Sequence, residues 1–218
     1  MNKFYKFIYT VFRGFFKLVF RMEISGTENE PEKGPYLICA NHQSNSDTIC
    51  VAASTKNQLR FFAKNSLFKV PVLKHFVKAM GAYPVDKSSA RASVSGIKES
   101  IKILEAGQIV AMYPQGHRYI GIDPRTTPLM SGAGMIAYRA KCDVLPCCIC
   151  TDDYRTRFFR KTRVVFGEVI KYEELGFENG GKEEYERATK LIFDRISQLL
   201  TEKEAQLAAQ KLTKKKKK

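Results

Sequence analysis

The sequence predicts an α/β fold, a mostly parallel sheet flanked by helices, preceded by an amphipathic helix at a membrane interface. Two observations predict the α/β part. Short apolar, strand-like runs recur at 36–40, 58–63, 108–113, 144–150 and 162–169. Between or after them lie helical patterns at about 46–55, 66–80, 88–105, 132–141 and 182–212. Strands alternating with helices favour parallel pairing with helices on both faces. The third observation is the amino end. On a helical projection of ~100° per residue, Lys3, Lys6, Thr10, Arg13, Lys17 and Arg21 fall in one narrow strip. Phe4, Phe7, Ile8, Val11, Phe12, Phe15, Leu18 and Val19 cover the opposite face.

Taken in order, residues 1–22 form the amphipathic unit. Their apolar runs are too short for the ~20 residues that span a bilayer, so the helix is expected to lie in the membrane plane. Charges spread throughout, with no small-residue cleavage site, argue against a secretory signal. Residues 30–213 form one domain, with no internal repeat and no linker, and a chain of 218 residues can bury a substantial core. In the closing helix Tyr185, Ala188, Ile192, Ile196 and Leu199 share one side. Residues 214–218 are a basic tail.

The placement of charge excludes one class of partner. Eleven of the +15 net charges sit in residues 1–21 and 205–218, segments without a single acid, which leaves only +4 between them. A nucleic-acid binder would carry a basic stripe across the fold, whereas basic ends suit an anionic membrane surface. The six cysteines, at 39, 50, 142, 147, 148 and 150, read as buried reduced thiols. Those at 142–150 lack a paired C-x-x-C spacing and a nearby histidine, and Cys147 and Cys148 face opposite ways on a strand, so no metal site is expected.

Chemistry enters at Asn41-His42-Gln43-Ser44-Asn45-Ser46-Asp47, directly after the apolar run 36–40. An imidazole can take a proton from a hydroxyl near neutral pH, and a carboxylate at its other nitrogen holds the tautomer. Ser44, Asn45 and Ser46 favour a turn that brings Asp47 back to His42. Binding sites in open sheets lie outside the carboxyl ends of strands, where this segment falls. Further along come Gly81-Ala82-Tyr83-Pro84-Val85-Asp86-Lys87, Tyr113-Pro114-Gln115-Gly116-His117-Arg118 and Val144-Leu145-Pro146-Cys147.

In order and spacing these four segments resemble the motifs of the glycerolipid acyltransferases, specifically the lysophosphatidic acid acyltransferases. Phe62-Ala63-Lys64-Asn65-Ser66-Leu67-Phe68 is also similar to that family's Ala-Lys-x-x-Leu segment, and the likeness covers about residues 30–170. The resemblance implies transfer of a fatty acyl group from a thioester, acyl-CoA or acyl-carrier protein, to a lysophospholipid hydroxyl at the cytoplasmic face of a membrane, with no cofactor. His42 would be the general base and Asp47 its orienting partner. Lys64 and Arg118 would bind phosphate, with Gly116 allowing close backbone approach, Gln115 bonding the acceptor and Lys87 a weaker third cation. Gln115, His117, Lys87 and Met130 depart from the usual Glu, Thr, Arg and Lys. The alternatives are another acceptor, such as glycerol-3-phosphate or a different lysolipid, and a non-catalytic lipid-binding relative. A covalent route through Cys39 or Ser46 is disfavoured, since Cys39 lies inside a strand and Ser46 suits a turn or helix cap.

Overall fold

A computed structural model describes residues 3–64, 68, 69, 74, 81–85 and 90–216, with side chains placed for 10–62, 68, 69, 74, 81–83 and 94–213. Its centre is a seven-stranded sheet. The strands are β1 (Glu23–Ser25), β2 (Tyr36–Ala40), β3 (Leu59–Lys64), β4 (Ala82–Val85), β5 (Ile109–Met112), β6 (Asp143–Cys150) and β7 (Arg163–Phe166), in the spatial order β1-β7-β6-β2-β5-β3-β4. All pairings are parallel except β6 with β7. The helices are α1 (Lys3–Val19), α2 (Asp47–Ser54), α3 (Ala90–Glu105), α4 (Gly132–Ala140) and α5 (Lys182–Lys216).

Alternation along the central strands divides the core in two. Leu37, Cys39, Val110, Val144 and Cys148 face α3, α4 and α5, where Leu104, Ile136, Ala188, Ile192 and Ile196 pack over them. Tyr36, Ile38, Ala40, Ile109, Leu145, Cys147 and Ile149 face the other way, beneath α2 and the end of α1. Successive side chains on a strand point to opposite faces, so unbroken apolar runs such as 36–40 are those a sheet covered on both sides requires. On α5 the buried line includes Phe193 and Leu200 as well, while Leu199 is half-buried. Where α4 crosses α5, a Cβ at Gly134 would lie 2.2 Å from the Tyr185 carbonyl oxygen, so only glycine permits that approach.

Two strands carry no mark in the sequence. β1 has only three residues and one apolar side chain, too little for a periodicity signal. β4 contains Pro84, which argues against a strand because proline cannot donate to a ladder. It is tolerated here because β4 is the outer strand beside β3. The helix expected at 66–80 lies almost wholly outside the described residues. The basic segment 214–218 is not separate at its start, because α5 continues through Lys216.

A helix runs over Lys3–Val19, and its apolar face is divided. Phe20, just beyond α1, is fully buried, and Phe16 and Val19 pack against the same cluster, while Arg13 donates to the Ser54 carbonyl at the end of α2. Full burial of a side chain like Phe20 is worth about 1.5–3 kcal/mol, which makes this end of the helix part of the domain. Val11, Phe15 and Leu18, on the next arc round the helix, remain 52 to 77 % exposed. No helix among the described residues is long and apolar enough to cross a membrane.

Candidate active site

The carboxyl ends of β2, β3, β4, β5 and β6 lie along one edge of the sheet, and β2 is its middle strand. The chain leaves β2 at Asn41. The Asn41 side chain accepts from Ile149 N at 2.7 Å and donates to Ile149 O at 2.9 Å, so an amide continues the ladder to β6 after the backbone has turned away. Gln43 Nε2 donates to the same carbonyl at 3.0 Å. This pins both ends of the tripeptide that carries His42.

Asp47 closes the turn. It is the first residue of α2 and is fully buried. Its Oδ2 accepts from Gln43 N at 2.6 Å, Ser44 N at 2.7 Å and His42 Nδ1 at 2.8 Å, while Oδ1 accepts from Thr156 Oγ1 at 2.7 Å. Gln43 N and Ser44 N are obligate donors, so Oδ2 serves as an acceptor and the imidazole nitrogen facing it donates. The helix amino end adds favourable electrostatics. Nδ1 therefore carries its proton, and Nε2 holds the lone pair able to accept one. Ser46, expected at a turn or cap, does occupy the position before α2 but makes no side-chain cap bond; Ser44 Oγ takes the Ser46 N–H instead.

The loop after β5 clasps the histidine from the other side. The His42 ring stacks on Tyr113, with ring centres 3.9 Å apart and planes 11° from parallel. Tyr113 OH donates to Thr48 Oγ1 at 3.0 Å, and burial pushes its phenol well above the usual range, so it stays neutral. Gln115 is 1 % exposed, and its Oε1 accepts from His42 N at 2.5 Å while Nε2 donates to Thr127 Oγ1 at 2.6 Å. Tyr119 N donates to His42 O at 3.0 Å, and the exposed Arg118 guanidinium bonds Asn45 Oδ1. Gly116 has φ +68°, and a Cβ there would meet Met130 Cγ at 2.8 Å, so the turn needs glycine. A base thus stands at the edge of the sheet, with an exposed cation on the adjoining loop. That combination can deprotonate a hydroxyl on a molecule bearing an anionic group.

Comparison with known proteins places this arrangement. The acyltransferase family model matches residues 21–150, more than half of the chain. The chain belongs to the acyltransferase family. It is 26 % identical over 198 residues to the 1-acyl-sn-glycerol-3-phosphate acyltransferase of Bacillus subtilis, spanning 89 % of this chain and 96 % of that one. It is 30 % identical over 128 residues to a chloroplastic protein of the same name from Brassica napus, covering 58 % of this chain but only 36 % of the relative. Among solved structures, the 1-acyl-sn-glycerophosphate acyltransferase PlsC of Thermotoga maritima superposes with a TM-score of 0.69, covering 92 % of this chain and 81 % of that one, at 23 % identity. That likeness is one of fold.

The remaining residues singled out for this acyltransferase take varied places. Lys64 is the last residue of β3 and so stands on the same edge, with its side chain outside the described part; Lys87 lies outside the described residues. Gln115, expected against the acceptor, is instead buried with both ends of its amide engaged inside the protein. His117 is exposed. Tyr113 opens the third motif segment, and Thr156 carries no signal in the sequence, being 109 positions from the carboxylate it bonds. Among the described residues no group of three or more His, Cys, Asp or Glu is placed to hold a metal ion.

All six cysteines are free and buried. Burial pushes the Cys39 thiol well up and the Cys142 thiol to about 12, and raises the others too. Since the thiolate is the nucleophile, these groups are inert in the folded state, and Cys39 cannot carry a covalent route. Native protein at pH 8 will therefore take up little iodoacetamide and the denatured chain six equivalents. Rapid native alkylation with loss of activity would reveal a reactive thiol.

Proposed function

We propose that this acyltransferase moves a fatty acyl group from an acyl thioester, acyl-CoA or acyl-carrier protein, to the free hydroxyl of lysophosphatidic acid, giving phosphatidic acid. The observation that carries the reading is the buried His42–Asp47 pair, 2.8 Å apart, at the end of the middle strand beside the exposed Arg118. In the reaction, His42 Nε2 takes the acceptor's hydroxyl proton as the oxygen attacks the thioester carbonyl. Collapse of the tetrahedral intermediate expels the thiolate, which receives that proton from His42. Asp47 holds the ring and stabilises the transient imidazolium. Arg118 and Lys64 would hold the acceptor's phosphate. The printed names of the relatives favour this acceptor. The engagement of Gln115 with the His42 backbone supports an active enzyme, because a neutral amide does that work without a carboxylate.

The chain is read as a peripheral protein at the cytoplasmic face of an anionic membrane. Its acceptor partitions into bilayers, and the exposed Val11, Phe15 and Leu18 beside a cationic strip suit the headgroup boundary.

The test is an acyl-transfer assay with purified protein, both donors, and lysophosphatidic acid, monoacylglycerol and glycerol-3-phosphate as acceptors. Phosphatidic acid should form, with monoacylglycerol much the poorer substrate. Transfer to glycerol-3-phosphate alone would replace the acceptor assignment, and no transfer to any would favour a lipid-binding role. Arg118→Ala should raise the acceptor KM about 10-fold, as expected for losing one charge-assisted hydrogen bond, and leave the donor KM unchanged. An unmoved acceptor KM would place the phosphate elsewhere.

A further inference from the structure

The turn at residues 157–160 presents two adjacent aromatic side chains to solvent. Phe158 is 62 % exposed and Phe159 73 %. The turn is closed by Arg160 N donating to Arg157 O at 3.3 Å, and Phe159 sits at φ +59°. Asparagine or glycine suits such a left-handed position, and a bulky aromatic there is strained. Neither the turn nor the core explains these side chains, although Phe158 stacks on the buried Phe20 with ring centres 5.1 Å apart.

Three observations say what covers them. Phe159 N donates to the Val19 carbonyl at 2.6 Å, which joins the turn to the end of α1, whose Val11, Phe15 and Leu18 are exposed. The segment Arg155-Thr156-Arg157-Phe158-Phe159-Arg160-Lys161 holds four cations and no acid. Of the carboxylates nearby, Asp153 is paired with Arg157, Glu23 with Lys161 and Arg163, and Asp152 with Arg163. Aromatic side chains flanked along the chain by arginines match an anionic bilayer, apolar inside and negative at its surface.

We propose that the 157–160 turn is a second membrane-docking element, inserting Phe158 and Phe159 beside α1 into an anionic bilayer. The proposal rests on the reading of the chain as a membrane-surface acyltransferase. It also fixes where the chemistry happens. Thr156 holds Asp47 Oδ1, its carbonyl accepts from Ser44 Oγ at 3.0 Å, and it lies two residues, at most ~7 Å of chain, from Phe158. Docking the turn therefore sets the His42–Asp47 pair against the leaflet holding the acceptor.

The chain has no tryptophan, so Phe159→Trp places one selectively excitable probe at the tip of the turn. With vesicles containing phosphatidylglycerol, its emission should shift to the blue and be quenched by brominated acyl chains, and with purely neutral vesicles the shift should be much weaker. Phe158→Ser/Phe159→Ser should reduce sedimentation with anionic vesicles by roughly fivefold or more, as loss of two buried aromatic rings predicts. Its activity on vesicle-borne lysolipid should fall relative to a short-chain, water-soluble acceptor. Unchanged Trp emission on anionic vesicles overturns the proposal. So does full sedimentation of the double variant with equal losses on both acceptors, which would make the turn a support for Asp47 or a dock for a protein donor. The fluorescence and sedimentation arms need no turnover, so failure of the acceptor assignment would show separately, in the wild-type assay.

Discussion

Alanine at position 42 should lower acyl transfer by ~10²–10⁴-fold, the usual cost of losing a general base. The fold should survive, because His42 is held chiefly through its backbone: its N–H bonds Gln115, and its carbonyl accepts from Tyr119. Alanine keeps both bonds. The ring's stacking on Tyr113 is lost, with a modest drop in melting temperature. The discriminating measurement is kcat at saturating acceptor and donor together with a melting curve. A folded variant that keeps more than half of the wild-type kcat would remove His42 from the chemistry.

The second large effect is at Asp47, where the choice of replacement separates charge from scaffold. Asparagine can keep a carbonyl oxygen toward Gln43 N, Ser44 N and His42 Nδ1 and turn its NH2 toward Thr156, whose hydroxyl rotates to accept. The loop and the tautomer are then preserved while the negative charge beside the forming imidazolium is lost. Asp47→Asn should therefore fold normally, keep substrate KM values near wild type, and lose about 10²-fold or more in kcat. Alanine is a different experiment. It strands several buried donors at ~1–3 kcal/mol each, so Asp47→Ala should melt well below Asp47→Asn. If Asp47→Asn turns over at the wild-type rate, the carboxylate serves only to shape the loop, and the imidazolium finds its counter-charge elsewhere.

The two carboxylate variants also bear on Gln115. A carboxylate there would place a second negative charge near His42, whereas glutamine supplies the same acceptor oxygen to the His42 N–H with none. Gln115 supports the backbone of His42 from inside the protein.

What could be read from the residues alone was whatever lies close along the chain or repeats with a regular period. His42 and Asp47 are five positions apart in one turn, so Ser44, Asn45 and Ser46 suffice to bring them together. The apolar runs at 36–40, 108–113 and 144–150 mark strands covered on both faces, and the buried line from Tyr185 to Ile196 marks a helix, because those periods are properties of local geometry. Strands β1 and β4 had no such mark, one being too short and the other interrupted by Pro84. Contacts between distant segments had no local signature either. Thr156 reaches Asp47 across 109 positions and Gln115 reaches His42 across 73, and nothing in either neighbourhood announces the partner. The amino helix shows the division most plainly. Its amphipathic pattern is set by residue order, and an isolated helix could give its entire apolar face to a bilayer. Only packing against α2 and the sheet decides that Phe16, Val19 and Phe20 belong to the core, leaving Val11, Phe15 and Leu18 outside, because an apolar face wider than the groove it fills is buried only as far as the neighbouring elements extend.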